Sequence, residues 1–299
     1  MTATFERMRS LPEAVARVAA LSGEGARFQL IAGGTDLVVE SHLGAHAPAL
    51  YLDVSSVPEL ARIEDRGDTL RFGGGVTYLA LRRDPIAARV PLLGAMARDV
   101  GALQIQARGT LGGNIATASP AADGVCALYA LDAVVGLVSS AGERAIPITE
   151  LYEGYKKSKR RPDELIAWID VRVPSATARW QWRKVGTRLA QAISKVALAA
   201  VIEQEGGTIV RARCGMASVG PTTSALPSVR AALEGKASTS IDPSAIEAAV
   251  ARDIAPIDDV RSTGAYRLHV GKSLVRELVR SLGSSLDHGS LSQPETRSM

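Results

Sequence analysis

Cysteine, aromatic residues and long apolar runs are all scarce in this 299-residue chain. Each scarcity removes a class of function. Cys126 and Cys214 stand far apart, so neither a disulfide framework nor a Cys-rich zinc or iron-sulfur site can be assembled. Aromatics make up 4% of the residues, too few for an aromatic-rich β-sandwich or for the stacking platforms that bind single-stranded nucleic acid. No apolar run reaches membrane-spanning length. Met1 to Ser10 is broken by Glu6, Arg7 and Arg9, where a secretory signal needs an uninterrupted apolar stretch. The expectation is a chain outside the membrane, in a reducing cytoplasm. His42 and His46 have i, i+4 spacing, but Gly44 lies between them and no third ligand accompanies them, so no metal site is expected here.

What is present is ordinary globular material, 46% hydrophobic and 22% charged, long enough for one large domain or two. Ala, Val, Leu and Gly dominate, which favours helices and strands meeting through small residues. The net charge of +4 is dispersed except for Lys156-Lys157-Ser158-Lys159-Arg160-Arg161. With no aromatics interleaved, that run argues against nucleic acid and for an anionic ligand or a partner subunit.

Short apolar runs alternate with glycine turns and helical patterns in the first half: Phe28 to Ala32, Thr69 to Phe72 and Ala130 to Ser139 read as strands. Leu92 to Val100 reads as an amphipathic helix. Pro120 to Leu131 reads as another, with Ser119 as N-cap and Pro at the first helical position. A turn-rich stretch, Val173 to Ala178, marks a domain boundary. Beyond it, Ile193 to Gln204 and Thr208 to Val219 form a predicted hairpin across Glu205-Gly206-Gly207. Helical segments follow at Ala225 to Leu233, Pro243 to Arg252 and Tyr266 to Leu282. From Gly283 to Met299, Ser and Gly dominate and little could be buried, so a disordered tail is expected.

Two similar segments carry the chemistry: Leu30-Ile31-Ala32-Gly33-Gly34-Thr35-Asp36-Leu37 and Thr110-Leu111-Gly112-Gly113-Asn114. Adjacent glycines permit positive φ and let a ligand approach the backbone, so consecutive N–H groups can converge on an anion such as a diphosphate. A helix starting near Asp36 would add its dipole. Neither segment matches G-x-G-x-x-G or the phosphate loop ending in Gly-Lys-Ser/Thr, which argues against nicotinamide-binding folds and nucleoside triphosphatases. Gly73-Gly74-Gly75-Val76-Thr77 reads as a turn with Thr77 capping the next helix.

Together with Ala118-Ser119-Pro120-Ala121-Ala122-Asp123, these segments resemble the FAD-binding subunit of the molybdenum hydroxylases, the xanthine dehydrogenase and carbon monoxide dehydrogenase type. Asp163-Glu164-Leu165-Ile166 running to Val173-Pro174, Arg183 to Arg188, and Asp259-Val260-Arg261-Ser262-Thr263 with Tyr266-Arg267 extend the resemblance over nearly the whole chain. It implies an α+β fold: a two-part FAD-binding domain of the vanillyl-alcohol-oxidase-like type over 1–175, with parts at about 1–55 and 56–175, then a small α+β C-terminal domain of sheet and helices over 178–283, with the tail at 284–299.

The same resemblance implies that both glycine segments clamp the FAD diphosphate, through Leu30, Ile31, Ala32, Gly33, Gly34, Thr35, Asp36 and Leu37 on one side and Thr110, Leu111, Gly112, Gly113 and Asn114 on the other. It places Asp123 on the cofactor's sugar-like hydroxyls, Lys184 beside the flavin, and Trp168 and Ile169 at an apolar flavin contact. Some relatives carry an acidic residue where Gln191 stands. Implied partners are a large molybdenum cofactor subunit and a small subunit with [2Fe-2S] clusters. Electrons would leave FAD for NAD, dioxygen or another acceptor. No side-chain nucleophile, and so no catalytic residue in this chain, is expected. The rival readings are a self-contained flavin oxidase, which needs its own substrate residues and often a His or Cys for covalent flavin attachment, and a non-catalytic nucleotide-binding assembly module.

Overall fold

The computed structural model describes residues 4–44 and 50–282. The expected tail and His46 lie outside the described residues. The chain divides into two compact units, one of residues 1–119 and 132–173, the other of 120–131 and 174–299. The sequence reading of one cut near residue 175 differs at 120–131, which pack with the C-terminal part.

The first unit begins with β1 (Thr4–Arg7), α1 (Leu11–Gly23), β2 (Phe28–Ile31), α2 (Leu37–His42) and β3 (Leu50–Asp53). The strands form a parallel sheet in the order β1-β3-β2, which requires a crossover between β1 and β2. α1 supplies it. The Ser10 side chain accepts from the Glu13 amide at its start, and Ala14, Val18 and Leu21 recur at helical spacing to pack with Leu52 and Val54.

Next come β4 (Ile63–Asp65), β5 (Thr69–Gly73), α3 (Tyr78–Arg83), α4 (Pro91–Asp99), α5 (Leu103–Arg108), α6 (Leu111–Thr117), β6 (Val134–Ser139), β7 (Gly142–Pro147), β8 (Tyr152–Gly154), β9 (Lys157–Ser158) and β10 (Leu165–Arg172). An antiparallel sheet runs β4-β5-β10-β6-β7. Along β10, buried and half-buried residues alternate strictly up to Val171, the period of a strand with one face in the core. Thr77 caps α3 through the Ala80 amide.

The second unit holds α7 (Asp123–Ala130), β11 (Arg179–Val185), β12 (Val196–Glu205), β13 (Thr208–Ala217), α8 (Pro227–Leu233), α9 (Pro243–Asp253) and α10 (Gly264–Leu282). The expected hairpin is present as β12 and β13, turning through Gly206 and Gly207 at φ 54° and 81°, the left-handed pair that favours glycine. A strand not anticipated, β11, joins β12 to complete three antiparallel strands. The first eight residues of β12 are all buried, as in a strand covered on both faces. Leu198, Ala200 and Ile202 face the core shared with Leu233, Ile246 and Leu278 of the three following helices. On the opposite face α7 lies so close that a Cβ on Gly215 would collide with the Cys126 carbonyl.

Two boundaries differ from the sequence reading. The helix expected from Pro120 starts at Asp123 with Ala122 as N-cap and no side-chain cap, because the Pro120 carbonyl accepts instead from the Ser218 amide. The strand expected from Ala130 begins at Val134, because Ala130 ends α7, Leu131 caps it and Asp132 turns the chain at φ 47°. Among the described residues no helix is long and apolar enough to cross a membrane, and no His/Cys/Asp/Glu cluster suits a metal ion.

Candidate functional site

The two glycine segments lie in the first unit and meet. A Cβ on Gly33 would collide with the Arg108 carbonyl, with the Gly109 nitrogen 3.0 Å away. The Thr117 hydroxyl of α6 donates to Asp36 at 3.0 Å. Gly33 thus rests on the stretch that leads into the second pair, an approach only a residue without a side chain permits.

The pairs then diverge. The first is an open bend: Gly34 stands at φ 70°, and the main-chain amides from Gly33 to Leu37 donate to no other described residue. Ala32 to Thr35 are half-buried rather than sealed. Such a run of amides is what an anion-binding nest offers. Leu30 and Ile31 end β2, and α2 starts at Leu37 after Asp36, whose side chain makes no cap.

The second pair, expected to be a loop, is the start of α6. Thr110 is its N-cap, its hydroxyl accepting from the Gly113 amide at 3.0 Å. The Leu111 amide donates to Val76 and the Gly112 amide to Gly74 at 2.8 Å. Gly112 is buried, and a Cβ there would stand 2.5 Å from the Gly74 carbonyl oxygen. Capping and packing already engage the amides that the sequence reading aimed at a diphosphate. Gly113 is exposed and Asn114 half-buried, and the Asn114 amide donates to the Thr110 carbonyl at 3.0 Å.

Trp168 and Ile169 are consecutive on β10, so their side chains point to opposite faces. Ile169 is fully buried. Trp168 lies against Gly136, with the Arg71 guanidinium 3.7 Å from its ring centre and its Nε1 donating to Glu143 at 2.9 Å. A single ring plane cannot touch both side chains.

In the second unit, Asp123 and Lys184 are brought together. Lys184 Nζ is 2.6 Å from Asp123 Oδ2, with both side chains buried. The Ser194 hydroxyl donates to Asp123 Oδ1 at 2.6 Å. Ser194 was not singled out by sequence, and no spacing signal could have done so across 71 positions. Both carboxylate oxygens are thus engaged, one by an ammonium and one by a hydroxyl, which orients the group. Both cysteines are buried and free. Burial pushes their thiols up, that of Cys214 to about 12, so neither is a nucleophile.

The basic run is anchored at a few points, while Lys157, Lys159 and the Arg161 side chain stay exposed. Arg144 makes a bidentate pair with the buried Glu164, which also accepts from the Arg161 amide. Arg160 donates to the Glu164 carbonyl at 2.7 Å, and Lys156 pairs with Glu40 of α2 at 2.7 Å. The Arg144 guanidinium, against an opposing push from burial, holds Glu164 below the usual carboxylate range.

Residues 4–176 match the family described as the FAD binding domain in molybdopterin dehydrogenase, and residues 181–282 match the CO dehydrogenase flavoprotein C-terminal domain. The chain belongs to this flavoprotein family. It is a FAD-dependent oxidoreductase subunit of the xanthine dehydrogenase and carbon monoxide dehydrogenase type. The flavoprotein is 32% identical to the caffeine dehydrogenase subunit beta of Pseudomonas sp. (strain CBB1) over 73% of each chain. It is 28% identical to the putative xanthine dehydrogenase FAD-binding subunit of Escherichia coli (strain K12), over 95% of this chain and 98% of that one. Among solved structures, a chain of the carbon monoxide dehydrogenase from Hydrogenophaga pseudoflava superposes with a TM-score of 0.87 at 27% identity, covering 92% of the flavoprotein and 95% of that chain.

Proposed function

We propose that this flavoprotein carries electrons within a heteromeric molybdenum hydroxylase, from [2Fe-2S] clusters on a small partner subunit to its own FAD and on to NAD, dioxygen or another acceptor. The large partner subunit holds the molybdenum cofactor. The family match and full-length likeness to medium chains of dehydrogenase complexes support that role. A cytoplasmic assembly suits a chain whose two thiols are free and buried. FAD, when bound, supplies the redox chemistry, because its ring accepts single electrons and releases one or two.

The protein supplies binding, orientation and charge. One observation carries the assignment: the amides from Gly33 to Leu37, which donate to no partner among the described residues, and to which we assign the diphosphate, with Leu30, Ile31 and Ala32 forming the strand end that presents them. Gly113 and Asn114 meet the cofactor, whereas Thr110, Leu111 and Gly112 act by holding α6 in place. In the second unit we assign the cofactor's hydroxyls to Asp123, and to Lys184 a fixed positive charge against the reduced flavin. Trp168 offers its ring edge, and Ile169, paired on both sides in the sheet, holds that strand in place.

Replacing Gly34 tests the diphosphate site cleanly. Asp and Asn both tolerate the left-handed backbone that Gly34 adopts and differ in charge alone. Gly34→Asp is expected to bind FAD more than about tenfold more weakly than Gly34→Asn in a fluorescence titration of the full chain, roughly the effect of one uncompensated charge beside a diphosphate. Equal affinities would move the diphosphate elsewhere. Co-purification with native partners, followed by metal analysis, tests the assembly: molybdenum and iron are expected in the complex and absent from this chain.

A further inference from the structure

Around the Asp123–Lys184 pair, the second unit joins Arg267 and Asp259, both in segments that carry the family resemblance, to Ser218, which no sequence feature marked. Ser218 follows β13 at φ 64°, a left-handed backbone that a side-chain-bearing residue adopts only under constraint. Three hydrogen bonds supply the constraint. Its amide donates to the Pro120 carbonyl at 2.7 Å, its hydroxyl to the Ser194 carbonyl at 2.8 Å, and its own carbonyl accepts from Arg267 Nη1 at 3.0 Å. Pro120 leads into α7, which carries Asp123, and Ser194 is the residue whose hydroxyl binds Asp123. Ser218 therefore grips the chain on both sides of one carboxylate.

Arg267 locks the grip. Its guanidinium is buried in α10, donates from the same Nη1 to the Lys195 carbonyl at 2.7 Å, and is anchored through Nη2 to Asp259 at 2.7 Å. Asp259 in turn accepts from the amides of Arg261 and Ser262. Burial pushes the Asp259 carboxyl up, but these hydrogen bonds outweigh it and hold it below its ordinary range. The Arg267 Nε has no partner among the described residues, while the rest of its guanidinium reaches two carbonyls and a carboxylate at once.

We propose that Ser218 and Arg267 are positioning residues, a hub that fixes Ser194 on Asp123 and so aims the Lys184 ammonium. This rests on the reading that Asp123 and Lys184 face the cofactor. With Oδ1 committed to Ser194, Oδ2 is oriented to the ammonium, and the direction of a charge-assisted hydrogen bond fixes where that charge stands. A merely structural Ser218 would leave the strained backbone without a purpose, since glycine adopts the same φ freely.

Four variants of the full chain, Ser218→Gly, Arg267→Lys, Asp123→Asn and Lys184→Met, decide it. Three readouts apply where the residues allow: FAD affinity by fluorescence, the rate of reductive methylation of Lys184 in the FAD-free chain by mass spectrometry, and the thermal midpoint. Ser218→Gly loses one hydrogen bond and relieves the backbone, so its midpoint is expected to hold. Lys184 methylation should rise and FAD affinity fall, each by about two- to tenfold, the worth of a single hydrogen bond. Arg267→Lys should change both in the same direction. Wild-type methylation and affinity in Ser218→Gly, alongside altered values in Asp123→Asn, would overturn the hub alone. A Ser218→Gly chain that loses its thermal midpoint without changing Lys184 reactivity would also overturn it, making Ser218 a brace. Wild-type FAD affinity in both Asp123→Asn and Lys184→Met would overturn the cofactor reading and the hub together.

Discussion

Gly33-Gly34 and Gly112-Gly113 are the same word placed in one unit, and their first letters do the same work. Gly33 presses on the Arg108 carbonyl and Gly112 on the Gly74 carbonyl, each where no Cβ fits. The second letters part company. Gly34 bends the chain through positive φ, and the amides from Thr35 to Leu37 beyond it have no partner among the described residues, whereas Gly113 sits in the first turn of a helix with its amide on Thr110. A glycine pair thus joins two separable functions, close packing and amide exposure, and only the first pair in this protein displays both.

Alanine at Gly33 or Gly112 is expected to destabilise by about 1–3 kcal/mol or more through overpacking, with Gly33→Ala the worse because its Cβ meets the backbone more closely. Denaturant midpoints measure this. For Gly112 the loss would come from the Gly74 contact rather than from repulsion of a diphosphate. Gly34→Ala should destabilise by about 1–2 kcal/mol, the conformational penalty alone. Similar losses at Gly33 and Gly34 would erase the distinction between the letters.

Thr110→Val removes the cap that silences the second pair's amide and should lower stability by about 1 kcal/mol, while Thr110→Ser should retain it. An unchanged Thr110→Val chain would mean the cap is idle. Acid acts on the seat beneath Gly74, which is fixed by the main chain of β10. Because the Arg144 pairing lowers the Glu164 carboxyl, its contribution is complete above the unfolded value near about 4.3 and is lost as pH falls through the folded value. Arg144→Met should flatten that part of an acid-unfolding curve, and an unaltered curve would remove Glu164 from the account. The smallest effect is expected at Lys156→Met, which frees α2 beyond the first pair. A half-exposed pair with Glu40 stabilises by no more than about 1 kcal/mol.

Much of this was readable from residue order because the signals are local. Gly206-Gly207 between two apolar runs announces its hairpin, Thr77 before a helical pattern announces its cap, and the adjacent glycines announce tight backbone. The remainder depends on contacts across the chain. Thr110 looked like part of a loop because its cap becomes visible only when Val76 and Gly74 take the neighbouring amides. β11 was missed because Trp180, Trp182 and Lys184 alternate with Gln181 and Arg183, and polar residues mask a strand whose partner supplies the apolar surface. Ser218 and Arg267 were invisible as a hub since no period links positions whose partners are carbonyls. The basic run suggested an anionic ligand or a partner subunit, and its pairing with Glu164, through the Arg160 side chain and the Arg161 amide, has no signal in the order of residues.

All eight residues of α7 are buried, and the strands they cover, β12 and β13, come later in the chain. During synthesis this apolar segment leaves the ribosome well before its cover exists, and it has no polar face to keep it in solution meanwhile. A fragment that stops at the end of the first family domain would carry the same orphan, and one that starts at the second would lack its plug. Either half made alone should therefore be sticky, and mixing the two should rescue both.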